Sequence, residues 1–169
     1  TSARLAAKLT QHRIEVTGLD TESMTTYANP DGSTSLESAS SPVREKVGGD
    51  WENVDATLAP LPGGGFGPKV ASVPVRFSGG GTGPLSAISL PEGLVSTSWP
   101  GGLPAPAISG NTATYHDVSP GVDLVLTAGV TSVETSIVLT RRPANGQASF
   151  RVPLTVAGLS VASSTDGAL

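Results

Sequence analysis

Glycine and proline interrupt this chain so often that few stretches are long enough for a helix. Its 169 residues include 21 glycines and 14 prolines, and both residue types destabilise a helix interior. Only TSARLAAKL at residues 1–9 has the composition of a helix former, and a run this short is marginal as an isolated helix. The remaining elements must be short, which favours strands joined by turns.

Apolar and polar residues alternate between these interruptions, as expected for half-buried strands. The turn sequence Asn-Pro-Asp-Gly at 29–32 separates two such segments and predicts a hairpin. A second hairpin is predicted from 43–47 and 51–58, and the glycine- and proline-rich stretch 59–72 is expected to be a long loop. We therefore predict an all-β fold in which antiparallel hairpins form a β-sandwich or a meander, preceded by a short N-terminal helix or a mobile end.

The chain length suits one ordinary domain or two small β units. The expected organisation is a lead-in segment at 1–11, either helical or mobile, then a β-rich domain at 12–160 and a tail or linker at 161–169. The β-rich domain is either a single unit or two sub-units that divide near 59–72. Neither end carries a signal peptide or a closing element, so we expect the chain to be a fragment of a larger protein.

Charge and composition argue against several classes of partner and of chemical site. The formal net charge is −4, with ten Lys and Arg against fourteen Asp and Glu, which is the opposite of the basic face of a nucleic-acid-binding protein. The absence of cysteine excludes disulfides, thiolate metal ligands and a cysteine nucleophile. No run approaches the ~18 apolar residues of a membrane span, and a surface of Ser, Thr, Gly and Asn is typical of exported proteins.

The sequence lacks the spacing of the common catalytic and metal-binding motifs. No G-x-S-x-G elbow accompanies His12 or His116, and nothing pairs two acidic residues as a glycosidase requires. The turn at 29–33 offers alternate oxygen donors, but Ser40 stands where a calcium loop needs Glu. The runs GGGFGPK and SGGGTGP lack the P-loop pattern and are expected to be flexible connections. We expect neither enzyme activity nor a cofactor.

A tyrosine, a histidine, two aspartates and a Pro-Gly turn lie together in NTATYHDVSPGVDLVL at 111–126. This stretch has the residues of an active site, but it also has those of a corner between two strands. Pro120 and Gly121 supply the turn, and Asp117 and Asp123 are placed to accept hydrogen bonds from nearby backbone N–H groups, as in Asx turns. We interpret the stretch as a structural corner.

Few aromatic residues are available for either a core or a ligand. A core so poor in aromatics is expected to bury its two tryptophans. The alternative is that Trp51 or Trp99, with Tyr27 or Tyr115, forms a stacking platform for glycan or cell-wall polymer.

Three stretches together carry a resemblance to a known group of proteins: TTYANPDGSTSLESASSPVREKVGGDWENVDATL at 25–58, SWPGGLPAPAISGNTATYHDVSPGVDLVL at 98–126 and VETSIVLTRRPA at 133–144. In this order the chain resembles the N-terminal β-rich region of large secreted actinobacterial proteins. Those proteins continue into RHS/YD repeats, LamG-like jelly rolls or DNRLRE-type modules, and some are polymorphic toxins. The resemblance extends over roughly residues 12–160.

The resemblance implies context rather than activity, because it assigns no catalytic residues. It implies a secreted or cell-surface protein and a non-catalytic structural domain that packs against or caps downstream modules, such as an RHS-type shell. The expected partner is the remainder of the parent chain. The alternative function is a glycan or cell-wall binding module.

Overall fold

The structure is a computed structural model that describes residues 2–143, 146 and 148–160. Short antiparallel strands dominate it and a short helix lies near the N-terminus, which confirms the all-β prediction. The chain divides into two compact units, an N-terminal unit, Thr1–Val54, and a C-terminal unit, Asp55–Leu169. The predicted tail at 161–169 lies outside the described residues.

The N-terminal unit begins with α1 (Ser2–Thr10), which falls within the predicted lead-in segment. A three-stranded antiparallel sheet follows, in the order β1-β2-β3, from strands β1 (Ile14–Glu15), β2 (Met24–Ala28) and β3 (Thr34–Ser38). Strands β4 (Arg44–Val47) and β5 (Asp50–Asn53) form a separate hairpin. Within the described residues, no helix has the length and apolar character needed to cross a bilayer.

The predicted hairpin around residues 29–32 is present as β2 and β3, which pair from Met24↔Ser38 to Ala28↔Thr34. Gly32 donates its N–H to the Asn29 carbonyl at 3.0 Å. Its φ of 89° is the left-handed conformation that glycine adopts without strain. The local turn sequence was therefore sufficient to predict this pairing.

The C-terminal unit is a sandwich of two antiparallel sheets. Its larger sheet consists of β6 (Asp55–Pro60), β7 (Phe66–Val70), β8 (Val75–Phe77), β9 (Ser86–Leu90), β10 (Gly93–Thr97) and β15 (Leu154–Ala157). These six strands lie in the order β15-β10-β9-β8-β7-β6. The smaller sheet consists of β11 (Ala107–Ser109), β12 (Thr112–Ser119), β13 (Val122–Ala128) and β14 (Val133–Leu139). These four strands lie in the order β11-β12-β13-β14.

One apolar core joins the two sheets of the sandwich. Strand β13 alternates between buried and half-buried residues over its whole length, as the period of two requires. Its buried side chains meet Phe77 of β8 and Tyr115 of β12, which are both 0% exposed. The Tyr115 hydroxyl donates a 2.7 Å hydrogen bond to the Ser78 carbonyl and so satisfies its own polar group inside the core.

The prediction of a long loop at 59–72 was wrong, because the stretch contains the end of β6 and all of β7. In this stretch, glycine allows two strands to approach each other closely and does not form a flexible connection. A Cβ on Gly67 would lie 2.5 Å from the Val75 carbonyl oxygen, so only glycine allows β7 and the start of β8 to come this close. The run at 63–65 is also ordered, since Arg76 donates hydrogen bonds to the Gly63 and Gly64 carbonyls.

Candidate functional site

The predicted corner at 111–126 is a hairpin with a bulge. Strands β12 and β13 pair as far as Tyr115↔Leu124, slip register, and pair again at Ser119↔Val122, which leaves Pro120 and Gly121 as the turn. Gly121 has a φ of 77°, which suits the second central position of a type II turn after proline. The turn residues thus lie where the Pro-Gly sequence placed them.

Asp123, on β13, makes hydrogen bonds to two residues of the bulge in β12. Its Oδ1 accepts a 2.8 Å hydrogen bond from the backbone N–H of Asp117, and its Oδ2 lies 2.8 Å from His116 Nδ1. Asp117 contributes its backbone N–H to this contact. Its φ of 50° is unusual for a residue other than glycine. The bond spans six residues across two strands, so it differs from the local Asx turn that the sequence suggested.

The chemistry open to this corner is limited by its geometry. The hydrogen bond from Asp117 N–H, followed by that with His116, holds the pKa of Asp123 below its usual range. A carboxylate that orients a histidine is part of many catalytic sets, but a base also needs a nucleophile within hydrogen-bond reach. In the described part of the chain, Asp123 is the side chain that bonds His116, and the histidine is 63% exposed.

Replacing Asp123 with Ala is expected to lower the urea midpoint of the C-terminal unit, because the Asp117 N–H loses its acceptor inside a bulge. Asp123→Asn, which keeps an oxygen for that N–H, is expected to retain most of the stability. His116→Ala is the matched control and is expected to change little, because the imidazole is exposed. Equal loss in all three variants would contradict this account of the corner.

The structure separates the four candidate stacking residues. Trp99 is 8% exposed and packs in the core, with its ring centroid 6.1 Å from that of Phe150. Tyr115 is fully buried, and the ring of Tyr27 has the Arg13 guanidinium 4.2 Å from its centroid. Trp51 is half-buried on β5, and it is the tryptophan that a ligand can reach.

Trp51 lines an open groove in the N-terminal unit with a volume of about 520 Å³. The groove lies between the β4–β5 hairpin and the segment just before β2. The other residues that line it are polar or charged: Asp20, Thr21, Glu22, Ser23, Glu45 and Lys46. The Lys46 ammonium lies 5.1 Å from the centroid of the Trp51 ring, in cation–π range.

A buried ionic network, which sequence reasoning missed, lies at the centre of the same unit. The Arg44 side chain is 10% exposed and that of Asp20 is 0% exposed, with Arg44 Nη1 2.7 Å from Asp20 Oδ2. Arg44 also donates to Thr25 Oγ1 at 2.6 Å, and Asp20 Oδ1 accepts the Thr26 N–H at 2.9 Å. No spacing rule links residues 20, 25 and 44, so the sequence carries no signal for this contact.

Asp20 makes the stability of the N-terminal unit depend on pH. Burial acts to raise the pKa of this carboxyl, but the hydrogen bond from Thr26, hydrogen bonding with Glu15 and the Arg44 guanidinium outweigh it and hold the pKa below its usual value. A carboxyl whose pKa is lower in the folded state stabilises the fold above its unfolded pKa of about 3.9, and this contribution is lost as pH falls through the folded pKa.

We therefore expect the urea midpoint of the N-terminal unit to fall as pH is lowered from about 5 to 3. Trp51 fluorescence reports this unit when Trp99 is replaced by Phe. Asp20→Asn is expected to be less stable at pH 7 and to show a flatter pH dependence. A variant as steep as the parent protein would show that other carboxyl groups account for the acid sensitivity.

In the turn at 29–33, a carboxylate oxygen that could have bound calcium accepts hydrogen bonds from within the turn instead. Asp31 Oδ1 accepts hydrogen bonds from Ser33 N–H at 2.8 Å and from Ser33 Oγ at 2.6 Å. The hydrogen bonds from the Ser33 hydroxyl and then its N–H hold the pKa of Asp31 low. Among the described residues, no group of three or more His, Asp or Glu side chains is arranged to hold a metal ion.

No family model, no curated protein and no solved structure matches the chain. Any function assigned to the chain therefore depends on its residues and their geometry.

Proposed function

We propose that this chain is a non-catalytic structural domain of a larger secreted protein, and that its N-terminal unit packs against or caps other modules of that protein, such as an RHS-type shell. The observation that carries the proposal is the distribution of side chains in the N-terminal unit. Its fully buried positions are alanines and polar residues, and six of its large apolar side chains are exposed.

The interior of this unit contains few apolar groups. Its buried hydrophobic residues in the described range are Ala7 and Ala28, and the remaining buried positions are Asp20, Thr25, Thr26 and Arg44. Alanine burial contributes little area to a core, and a buried ion pair contributes little net stability. A unit of this size is marginal even with a normal core, so additional burial against a partner is the physical solution.

The surface offers the apolar area that the interior lacks. Leu5 and Leu9 of α1 are 61% and 76% exposed and lie one turn apart on the same helix face. The other large exposed apolar residues of the unit are Leu19, Leu36, Val43 and Val47. We call Leu5 and Leu9 the α1 ridge and assign it to the proposed interface with the parent chain.

Binding of the 169-residue chain to the remainder of its parent protein tests this proposal. The coding sequence beyond Leu169 supplies the second component, and sedimentation velocity measures the complex. We expect a stable complex, weakened about tenfold or more by Leu5→Ser with Leu9→Ser, because each buried leucine side chain contributes up to about 1.5–3 kcal/mol.

A control makes the same two leucine-to-serine changes at exposed positions of the other unit. Leu94 and Leu154 are 39% and 46% exposed on neighbouring strands β10 and β15, and Leu94→Ser with Leu154→Ser is expected to leave the complex intact. Absence of any complex, or equal weakening by the two double variants, would overturn the assignment of the α1 ridge.

A further inference from the structure

We propose that the groove beside Trp51 is a binding site for an oligosaccharide of pyranose units. This site does not depend on the docking function proposed above, because it lies on the β4–β5 hairpin rather than on the α1 ridge. Its volume of about 520 Å³ is within the range of small-ligand pockets.

The groove combines an aromatic surface with both kinds of hydrogen-bonding group. Trp51 offers an apolar indole that is half-buried and remains partly accessible. Glu22 and Glu45 offer acceptors, Lys46 offers a donor, and the Thr21 and Ser23 hydroxyls can do either. A pyranose ring presents the complementary pattern, with a C–H face to stack on an aromatic ring and hydroxyls around its edge.

The charge of the groove favours a neutral ligand over a basic peptide. Asp20 is compensated by Arg44, which lies 2.7 Å away, and Lys46 offsets one of the two glutamates. About one net negative charge is then left, which is little for a site that selects cations. The Lys46 ammonium also lies 5.1 Å from the Trp51 ring centroid, where it would repel a second cation that approached the same ring.

Backbone contacts hold the groove in shape. The Glu22 carbonyl accepts hydrogen bonds from Val43 N–H at 2.8 Å and from Arg44 N–H at 3.2 Å, which fix the start of β4 against the segment before β2. Lys46 and Trp51 are directly paired across the hairpin and therefore project on the same face. The aromatic and charged groups are thus positioned before any ligand arrives.

Fluorescence titration of the full chain carrying Trp99→Phe tests the site, because Trp51 is then the sole indole. The probes are cellohexaose, chitohexaose, xylohexaose and maltohexaose, with heptalysine as the basic-peptide arm. We expect at least one sugar to shift the Trp51 emission to shorter wavelength at up to about 10 mM, a range that detects millimolar dissociation constants.

Variants locate the binding. In the Trp99-containing protein, calorimetry is expected to show about tenfold weaker binding for Trp51→Ala, equivalent to roughly 1.4 kcal/mol, and an intermediate loss for Trp51→Phe. Glu22→Ala, which leaves the indole in place, is also expected to weaken binding. Glu52→Gln is the control, since Glu52 lies on β5 outside the groove lining.

Three outcomes would overturn the proposal. They are no response to any of the four sugars, a response to heptalysine alone, and sugar binding that is unchanged in Trp51→Ala and Glu22→Ala. Failure of this site leaves the α1 ridge untouched, so the two proposals can be judged separately.

Discussion

Replacing Arg44 with Met is expected to destabilise the N-terminal unit by about 3–5 kcal/mol, because Asp20 is left as a buried charge without its partner. The Asp20 side chain has no exposed surface, and Arg44 Nη1 is 2.7 Å from it. The measurement is urea unfolding followed by Trp51 fluorescence with Trp99 replaced by Phe. The C-terminal unit, followed by Trp99 in a Trp51→Phe protein, is expected to keep its midpoint.

A second substitution separates charge from packing. Adding Asp20→Asn to Arg44→Met removes the uncompensated charge and keeps an oxygen for the Thr26 N–H, so part of the lost stability should return. Arg13→Met is the control, because Arg13 and Glu37 form an ion pair in which both side chains are 53% exposed, and such pairs contribute little. A double variant less stable than Arg44→Met would contradict the expected role of the Asp20 charge.

Replacing Leu124 with Ala is expected to destabilise the C-terminal unit by about 2–5 kcal/mol, the range for a large-to-small change in a packed core. Leu124 is 0% exposed at the centre of β13, so the cavity has no access to solvent. Trp99 fluorescence in the Trp51→Phe protein follows the unfolding of this unit.

The control for the core is Leu154→Ala on β15, where the side chain is 46% exposed and the loss is expected to be small. If Leu124→Ala and Leu154→Ala shifted the midpoint equally, the two sheets would not share the core described here. Together with the Arg44 series, these variants test a contrast between a unit organised by charge and a unit organised by apolar packing.

The sequence was informative where a structure depends on neighbours in the chain. Period-two alternation and frequent turns were sufficient to predict an all-β fold, and Asn29 to Gly32 was sufficient to predict one hairpin with its turn. At 66–70 the same reasoning failed. Glycine is typical of loops, but Gly67 lies in a strand, where the absence of a side chain lets two strands approach closely.

Features that depend on residues distant in the chain could not be predicted in this way. The Arg44–Asp20 ion pair and the Tyr115–Ser78 hydrogen bond join residues 24 and 37 positions apart, and no local pattern specifies them. The candidate site also depends on residues that are distant in the chain. Trp51 and Trp99 are equivalent as candidates in the sequence, and only the tertiary structure places one beside a groove and the other in the core.

If the N-terminal unit packs against other modules of its parent protein, the α1 ridge is expected to be covered there. Hydrogen exchange of residues 2–10, measured in the isolated chain and in the full-length parent protein, tests it directly. A ridge packed against other modules is expected to exchange at least about tenfold more slowly in the parent protein, because the helix can open only when that contact is lost. Identical exchange of α1 in the two proteins would contradict the proposed function.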